Sequence, residues 1–82
     1  MPNMTRVLQA AKTAGGAYVV RLLDHGPTVG YSVRVEYRGK RVGGGAYLPS
    51  MPTEALAAFR RHAGAYGARV PMTALVGTEV AE

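Results

Sequence analysis

The sequence predicts an α+β fold in which an antiparallel meander of three to four strands carries one main helix on one face. Three observations lead to this prediction. Residues 31–38 alternate between apolar and polar side chains, which is typical of a half-buried strand. A tight basic turn with Gly39-Lys40 follows directly and predicts a hairpin. Residues 50–67 instead repeat apolar side chains every three or four positions, as a helix that covers a sheet does.

The N-terminal segment predicts a short helix, followed by the first strand. Apolar residues recur at helical spacing over residues 5–14, with Thr5 as a candidate N-cap and the glycine pair 15–16 as a stop signal. A strand over residues 4–9 is the alternative. Residues 17–23 are rich in β-branched and aromatic side chains and predict a strand, after which glycine and proline predict a turn.

The alternation along residues 31–38 also predicts which face of the sheet is buried. One face carries Tyr31, Val33, Val35 and Tyr37, and the other carries Ser32, Arg34, Glu36 and Arg38. We expect the first face to pack on the core and the second to contact solvent. Residues 41–48 return as the third strand. Its glycines 43–45 lack the Lys and Ser/Thr of a phosphate-binding Walker loop, so they predict a β-bulge or a close backbone approach.

The main predicted helix has an identifiable start, stripe and end. Ser50 is a candidate N-cap and Pro52 suits the first turn, while Gly64 and Gly67 are the predicted stop signals. The predicted buried stripe consists of Leu56, Phe59, Ala63 and Tyr66. Arg60 and Arg61 are then left facing outward.

The C-terminal residues predict an edge strand. After the break at Pro71, the segment Met72 to Val76 is apolar enough to pair with the sheet, and the acidic end at Glu79 and Glu82 is expected to fray. An exposed edge of this kind also allows pairing between copies of the chain. A homo-oligomeric structural protein is therefore one hypothesis, although the sequence does not fix the oligomeric state.

Length and composition favour a binding protein over an enzyme. The 82 residues predict a single domain, 1–82, with little room for both a core and a deep substrate cavity. The chain has no cysteine, and its two histidines lack nearby paired carboxylates, so we expect neither a metal nor another cofactor. Asp24 and His25 are the nearest approach to acid–base machinery, and the sequence places no serine or cysteine nucleophile beside them.

The charge balance favours an anionic partner. The net charge is +5 with a pI near 10.1, and most of the ten basic residues are arginine, which offers a planar fork to phosphate or carboxylate. The N-terminus lacks the features of a signal peptide, and no apolar run is long enough for a membrane span. We therefore expect a protein of the bacterial cytoplasm with no membrane partner.

The basic residues of the hairpin form the candidate binding site. Arg34, Arg38, Lys40 and Arg41 lie on the exposed face and tip of one predicted hairpin, so that their charges add. Of the five tyrosines, Tyr47 is the best interface candidate, because the alternation groups Tyr31 and Tyr37 with buried valines.

The stretch from Tyr18 to Gly64 resembles small phage-encoded anti-CRISPR proteins in its layout. The resemblance rests on the "LLDHG" turn, the "YSVRVEYRGKRVGG" hairpin and the "PTEALAAFRR" helix, which follow in the same order. It implies a non-enzymatic inhibitor that docks on a host protein or nucleoprotein complex, such as a CRISPR effector subunit, and blocks nucleic-acid access or effector recruitment. The partner-binding residues that it implies are Arg34, Glu36, Arg38, Lys40, Arg41 and Tyr47. Many such inhibitors are acidic mimics of nucleic acid, whereas this chain is basic.

The same strands and helix also resemble the arm-type DNA-binding domain of tyrosine recombinases. In that family a three-stranded sheet enters the major groove, and its exposed arginines contact bases and phosphates. This resemblance implies a DNA-binding module of β-β-β-α type that uses the hairpin arginines. It suits the basic charge of the chain, although such a domain normally precedes a catalytic region.

Overall fold

A computed structural model describes residues 5–77, which form a five-stranded antiparallel sheet and one main helix. The elements are β1 (Arg6–Lys12), β2 (Tyr18–Asp24), β3 (Tyr31–Tyr37), β4 (Lys40–Tyr47), α1 (Pro52–Tyr66) and β5 (Val70–Pro71), followed by a 3-10 turn (Thr73–Leu75). The strand order across the sheet is β4-β3-β2-β1-β5, and every pairing is antiparallel. The predicted α+β class, with a meander and one main helix, is confirmed.

The predicted N-terminal helix is wrong, because residues 6–12 form strand β1 against β2. The register slips between Val7 and Gln9, so one extra residue is inserted into the strand. As a result Val7 and Ala10 lie in one apolar cluster, whereas Leu8 and Ala11 pack into another. Because β1 is buried on both faces and contains a bulge, apolar residues recur three positions apart along it. This spacing resembles the periodicity of an amphipathic helix.

The main core lies between α1 and the sheet. Val33 and Val35 of β3 are fully buried there, as the alternation predicted, and Phe59 of the helix packs on the same cluster. The other buried members are Ala11, Val20, Leu22, Ala55, Ala58 and Ala68. Burial of each valine contributes about 1.5–3 kcal/mol to folding, which makes this the principal source of stability.

A second, smaller core lies on the opposite face of the sheet. Val7, Ala10 and Leu23 are buried there, and Met72 and Leu75 pack against them. Strand β5 ends at Pro71, which has no N–H for a ladder, and the chain then turns over β1. The predicted edge strand Met72 to Val76 is therefore wrong. Met72 and Leu75 cover β1 and the C-terminal end of β2, and no other residue between 5 and 77 covers the rest of that face.

The ends of α1 depart only slightly from the prediction. Met51 occupies the N-cap position without a side-chain hydrogen bond, so Ser50 is not the cap, while Pro52 opens the first turn as predicted. The helix continues through Gly64 and ends at Gly67, whose left-handed φ of 72° suits a C-cap glycine. Arg60 and Arg61 are exposed, as predicted.

The β3–β4 hairpin turns one residue earlier than expected. Arg38 and Gly39 form its two-residue loop, with φ values of 50° and 85°, and Lys40 already belongs to β4 opposite Tyr37. Two successive positive φ values are characteristic of the type I′ turn, which matches the twist of the flanking strands. The hairpin itself is confirmed.

Candidate polyanion-binding face

On the side away from α1, no residue between 5 and 77 covers the sheet surface at Lys12 of β1, across β3 and β4, or along β2 before Leu23, and we call this surface the open face. The cross-strand register assigns it the side chains of Lys12, Val19, Arg21, Ser32, Arg34, Glu36, Arg41 and Ala46, together with Gly44. Four of these residues are cationic and one is anionic. Because neighbouring strands lie about 4.8 Å apart, the four positive charges share one small surface.

Two arginines face each other at the centre of the open face. Arg21 of β2 is directly opposite Arg34 of β3, and like charges in such a pair repel. Glu36 relieves this repulsion, since its Oε1 lies 3.2 Å from Nη1 of Arg21. Side-chain exposures of 26% for Arg21 and 18% for Glu36 show that the pair is partly shielded from water. The net charge of the face remains positive.

The structure brings three of the predicted partner-binding residues together and separates the others. Arg34, Glu36 and Arg41 share the open face, with Glu36 directly opposite Arg41. Arg38 lies in the hairpin turn, where its guanidinium carbon is 5.5 Å from the ring centroid of Tyr37. Lys40 starts β4 opposite Tyr37, at the same end of the sheet.

Tyr47 does not belong to the open face. It pairs with Tyr31 at the far end of the β3–β4 ladder, and both rings pack against the main core on the helix side. The ring of Tyr47 also lies against the glycine at position 45. The ladder places Tyr47 on the helix side of β4, where it is partly buried against the main core, so its assignment to the exposed sheet face is corrected.

The backbone of β4 at Gly44 leaves no room for a side chain beside β3. The ladder skips Val42, so a bulge lies directly before the glycine run at which it was predicted. Within that run, Gly44 adopts a φ of 132°. A Cβ on Gly44 would collide with the backbone of Val33, so only glycine fits there. Because neither Gly44 nor Ala46 has a long side chain, little projects from this part of β4, and its backbone is accessible to a ligand.

A shallow pocket of about 310 Å³ lies where the open face meets the β2–β3 loop. Its lining consists of His25, Val29, Tyr31, Ser32, Arg34, Arg41 and Ala46. Nε2 of His25 lies 2.6 Å from Oγ of Ser32, and Nδ1 lies 3.1 Å from Oγ1 of the buried Thr5. These contacts fix the imidazole at the edge of the pocket.

Asp24 does not form a dyad with His25. Its Oδ1 instead accepts a hydrogen bond from the backbone N–H of Gly26, which is an Asx turn at the start of the loop. The hydroxyl beside His25 comes from Ser32, on the following strand, and a neutral Thr5 hydroxyl stands where a catalytic triad has a carboxylate. We therefore interpret the His25 contacts as support for the pocket wall.

Sequence reasoning missed Lys12, Arg21 and His25 as parts of this surface; it placed Ser32 on the exposed face of β3 but did not connect it with His25. The exposure of Arg21 could have been predicted, because it alternates with the buried Val20 and Leu22 and the predicted strand, residues 17–23, nearly matches β2. Lys12 was hidden by the mistaken helix. Ser32 and His25 meet only because the β2–β3 register brings the two strand ends together, which no local pattern indicates.

Comparison of the chain with protein-family models, with curated proteins and with solved structures found no match. In the span from residue 5 to residue 77, no helix has the length and apolar character needed to cross a bilayer. Over the same span, no group of three or more His, Asp or Glu side chains is arranged to hold a metal ion.

Proposed function

We propose that this protein is a non-enzymatic nucleic-acid-binding module that uses its open face to contact the phosphate backbone. One observation carries the proposal: among residues 5–77, the open face holds the four cationic side chains of Lys12, Arg21, Arg34 and Arg41 and the one carboxylate of Glu36. Lysine and arginine that neutralise phosphates release condensed counterions, and this release supplies most of the affinity in sequence-independent binding.

The shape of the face supports the same function. Strands β3 and β4 form a long hairpin, and a two-stranded ribbon of this kind fits the major groove of duplex DNA. Because Gly44 has no side chain and Ala46 has only a methyl group, a sugar–phosphate backbone can approach the β4 part of the sheet closely. The likeness of these strands to the arm-type domain of tyrosine recombinases points in the same direction.

A matched pair of double variants tests the proposal. Arg34→Ala/Arg41→Ala removes two charges from the open face, whereas Arg60→Ala/Arg61→Ala removes two exposed charges from the helix on the other side. Both variants change the net charge equally. Fluorescence anisotropy against a random duplex and a single-stranded RNA is the measurement. We expect the first variant to lose about tenfold or more in affinity, because each phosphate contact to a charged group contributes about 1.5–3 kcal/mol before solvent screening.

Two results would contradict this proposal. Equal losses in the two variants would mean that the binding follows net charge and has no defined face. No binding of either nucleic acid by the unmodified protein at moderate salt would exclude the function itself.

The second candidate is an inhibitor of phage type that docks on a host protein or nucleoprotein complex in the bacterial cytoplasm. Glu36 favours it, because a carboxylate near the centre of the open face repels phosphate but can pair with a basic residue of a protein partner. Plaque counts for a CRISPR-targeted phage, on hosts that express the protein or its Arg34→Ala/Arg41→Ala variant, test this candidate. Rescue of plaques by the unmodified protein alone would support it, and no rescue in hosts with different CRISPR types would exclude that target.

A further inference from the structure

The pocket at the loop end of the open face extends the proposed function, and we infer that it binds the terminal phosphate monoester of a nucleic-acid strand. Contacts to internal phosphates need only the flat part of the face. The pocket is instead a concave site of about 310 Å³ with two arginines, an imidazole and a hydroxyl in its lining. The inference rests on the proposed function and adds to it a preference for strand ends.

The lining chemistry suits a phosphate with two negative charges. Guanidinium groups of Arg34 and Arg41 can each present paired N–H donors to phosphate oxygens. A terminal monoester carries a charge of about −1.5 to −2 near neutral pH, whereas an internal phosphodiester carries a single charge. Two cationic groups beside one site therefore favour the terminal group over the internal one.

The position of the pocket suits the end of a strand. Ser32 and Ala46 form one of the last cross-strand pairs of the open face before the β2–β3 loop. His25 and Val29 belong to that loop and line the pocket from its side. A nucleic-acid backbone that runs along β3 towards the β2–β3 loop meets this boundary. The end of a nucleic-acid strand fits there, whereas a continuous nucleic-acid strand has to turn away from the face.

The pocket is also preorganised, which lowers the entropy cost of binding. The backbone N–H of His25 donates to the carbonyl of Gly30 at 2.8 Å, and the N–H of Gly30 donates to the carbonyl of Gly26 at 2.9 Å. Gly30 lies so close to the backbone of residues 47–49 that a Cβ would collide with it. The loop is therefore held against the end of β4, and His25 is fixed by Thr5 and Ser32.

The test compares three single-stranded oligonucleotides with an internal dye: one with a 5′-phosphate, one with a 3′-phosphate, and one with hydroxyl ends and an additional nucleotide. The additional nucleotide supplies a further backbone charge, so that charge alone does not distinguish the three. We expect at least one phosphate-ended oligonucleotide to bind about tenfold more tightly than the hydroxyl-ended one. Inorganic phosphate, at constant ionic strength, should compete for that difference.

Two variants assign the preference to the pocket. Ala46→Leu adds an exposed side chain to the pocket floor, and Ser32→Ala removes the hydroxyl beside His25. Both should reduce the ratio between the affinities for phosphate-ended and hydroxyl-ended oligonucleotides to less than threefold. This ratio is the readout because Ser32 and Ala46 also lie on the open face, so their replacement weakens the binding of all three oligonucleotides to some degree. Thermal unfolding of each variant checks that the fold is retained, and Ala46→Leu provides the test if Ser32→Ala does not fold.

The outcomes separate this inference from the proposed function. Equal affinity for all three oligonucleotides would overturn the pocket inference and leave the proposed function in place. A preference for phosphate ends that survives Ala46→Leu would also overturn it, because the phosphate would then bind elsewhere. If none of the oligonucleotides or duplexes binds, the proposed function is wrong and the inference fails with it.

Discussion

Glu36 and Arg21 form an ion pair across β2 and β3, with Oε1 of Glu36 3.2 Å from Nη1 of Arg21. The contact is poorly aligned, since neither Glu36 Oε1 nor Arg21 Nε forms a hydrogen bond within the described structure. Arg21 also faces Arg34 directly, so Glu36 offsets a repulsion between two neighbouring guanidinium groups. The same carboxylate reduces the attraction of the open face for phosphate.

The first prediction concerns these opposing effects of Glu36. In Glu36→Gln the arginine pair loses its counter-charge, so the free energy of unfolding should fall by about 0.5–1 kcal/mol. The loss of a negative charge near bound phosphate should strengthen nucleic-acid binding by about threefold. Denaturant unfolding and anisotropy on the same preparation measure both changes. Weaker binding by Glu36→Gln would indicate that the carboxylate itself contacts a partner, as docking on a protein surface requires.

A second prediction concerns the glycine run of β4. Gly44→Ala should lower the free energy of unfolding by about 2 kcal/mol or more, because its φ of 132° is essentially restricted to glycine and a Cβ would meet the β3 backbone. Gly43→Ala is the matched control, since the nearest atom to its Cβ is the Tyr66 hydroxyl at 3.5 Å. Equal stability of the two variants would show that β4 does not adopt this path.

The cover on the smaller core gives a third prediction. Leu75 packs against the cluster of Val7, Ala10 and Leu23, whereas the neighbouring Val76 is 46% exposed. Leu75→Ala should cost about 1–2 kcal/mol, less than a fully buried leucine because the site is only partly enclosed. Val76→Ala should change the stability by less than about 0.5 kcal/mol. Denaturant midpoints compare the two, and a negligible effect of Leu75→Ala would mean that the C-terminal turn is not docked on β1.

The tyrosines of the helix side give a fourth prediction. The ring of Tyr37 packs 4.8 Å from that of Tyr18, which in turn lies 5.0 Å from Tyr66. Tyr37→Leu should therefore lower stability by about 0.5–1.5 kcal/mol through the lost ring contact, while nucleic-acid affinity stays within twofold. A larger loss of affinity for single-stranded RNA would indicate base stacking on Tyr37 and a second binding surface at the hairpin.

Much of the fold follows from local patterns, and the errors have physical causes. The β3 alternation predicted the burial of Val33 and Val35, and the helix stripe predicted that of Phe59, because each element buries one face only. The rest of the stripe is partly buried against the core, and the stripe did not include the buried Ala55 and Ala58. Strand β1 was predicted wrongly as a helix, because it is buried on both faces and contains a bulge near Val7. The C-terminal segment failed for a related reason: its apolar residues cover a sheet face and do not extend the sheet beyond Val70–Pro71.

The candidate site was only partly predictable. Alternation grouped Arg34 with Glu36 and was sufficient to place Arg21 on an exposed strand face. That Arg21 and Lys12 share one surface with Arg34 depends on the order of strands in the sheet, which no local signal specifies. Tyr47 was chosen as the interface tyrosine because the alternation grouped Tyr31 and Tyr37 with buried valines, although its own pairing with Tyr31 places it on the core side. The pocket depends on the contact between Ser32 of β3 and His25 of the β2–β3 loop, which forms only when β2 and β3 pair.

The salt dependence of duplex binding tests the open face most directly. The logarithm of the binding constant should fall linearly with the logarithm of salt concentration, with a slope of about −0.9 for each phosphate contacted in duplex DNA. We predict that Arg34→Ala/Arg41→Ala makes this slope less steep by about 1.8, corresponding to two lost contacts. Arg60→Ala/Arg61→Ala should leave the slope unchanged. An unchanged slope in Arg34→Ala/Arg41→Ala, or an equal change in both variants, would contradict the assignment of phosphate binding to this face.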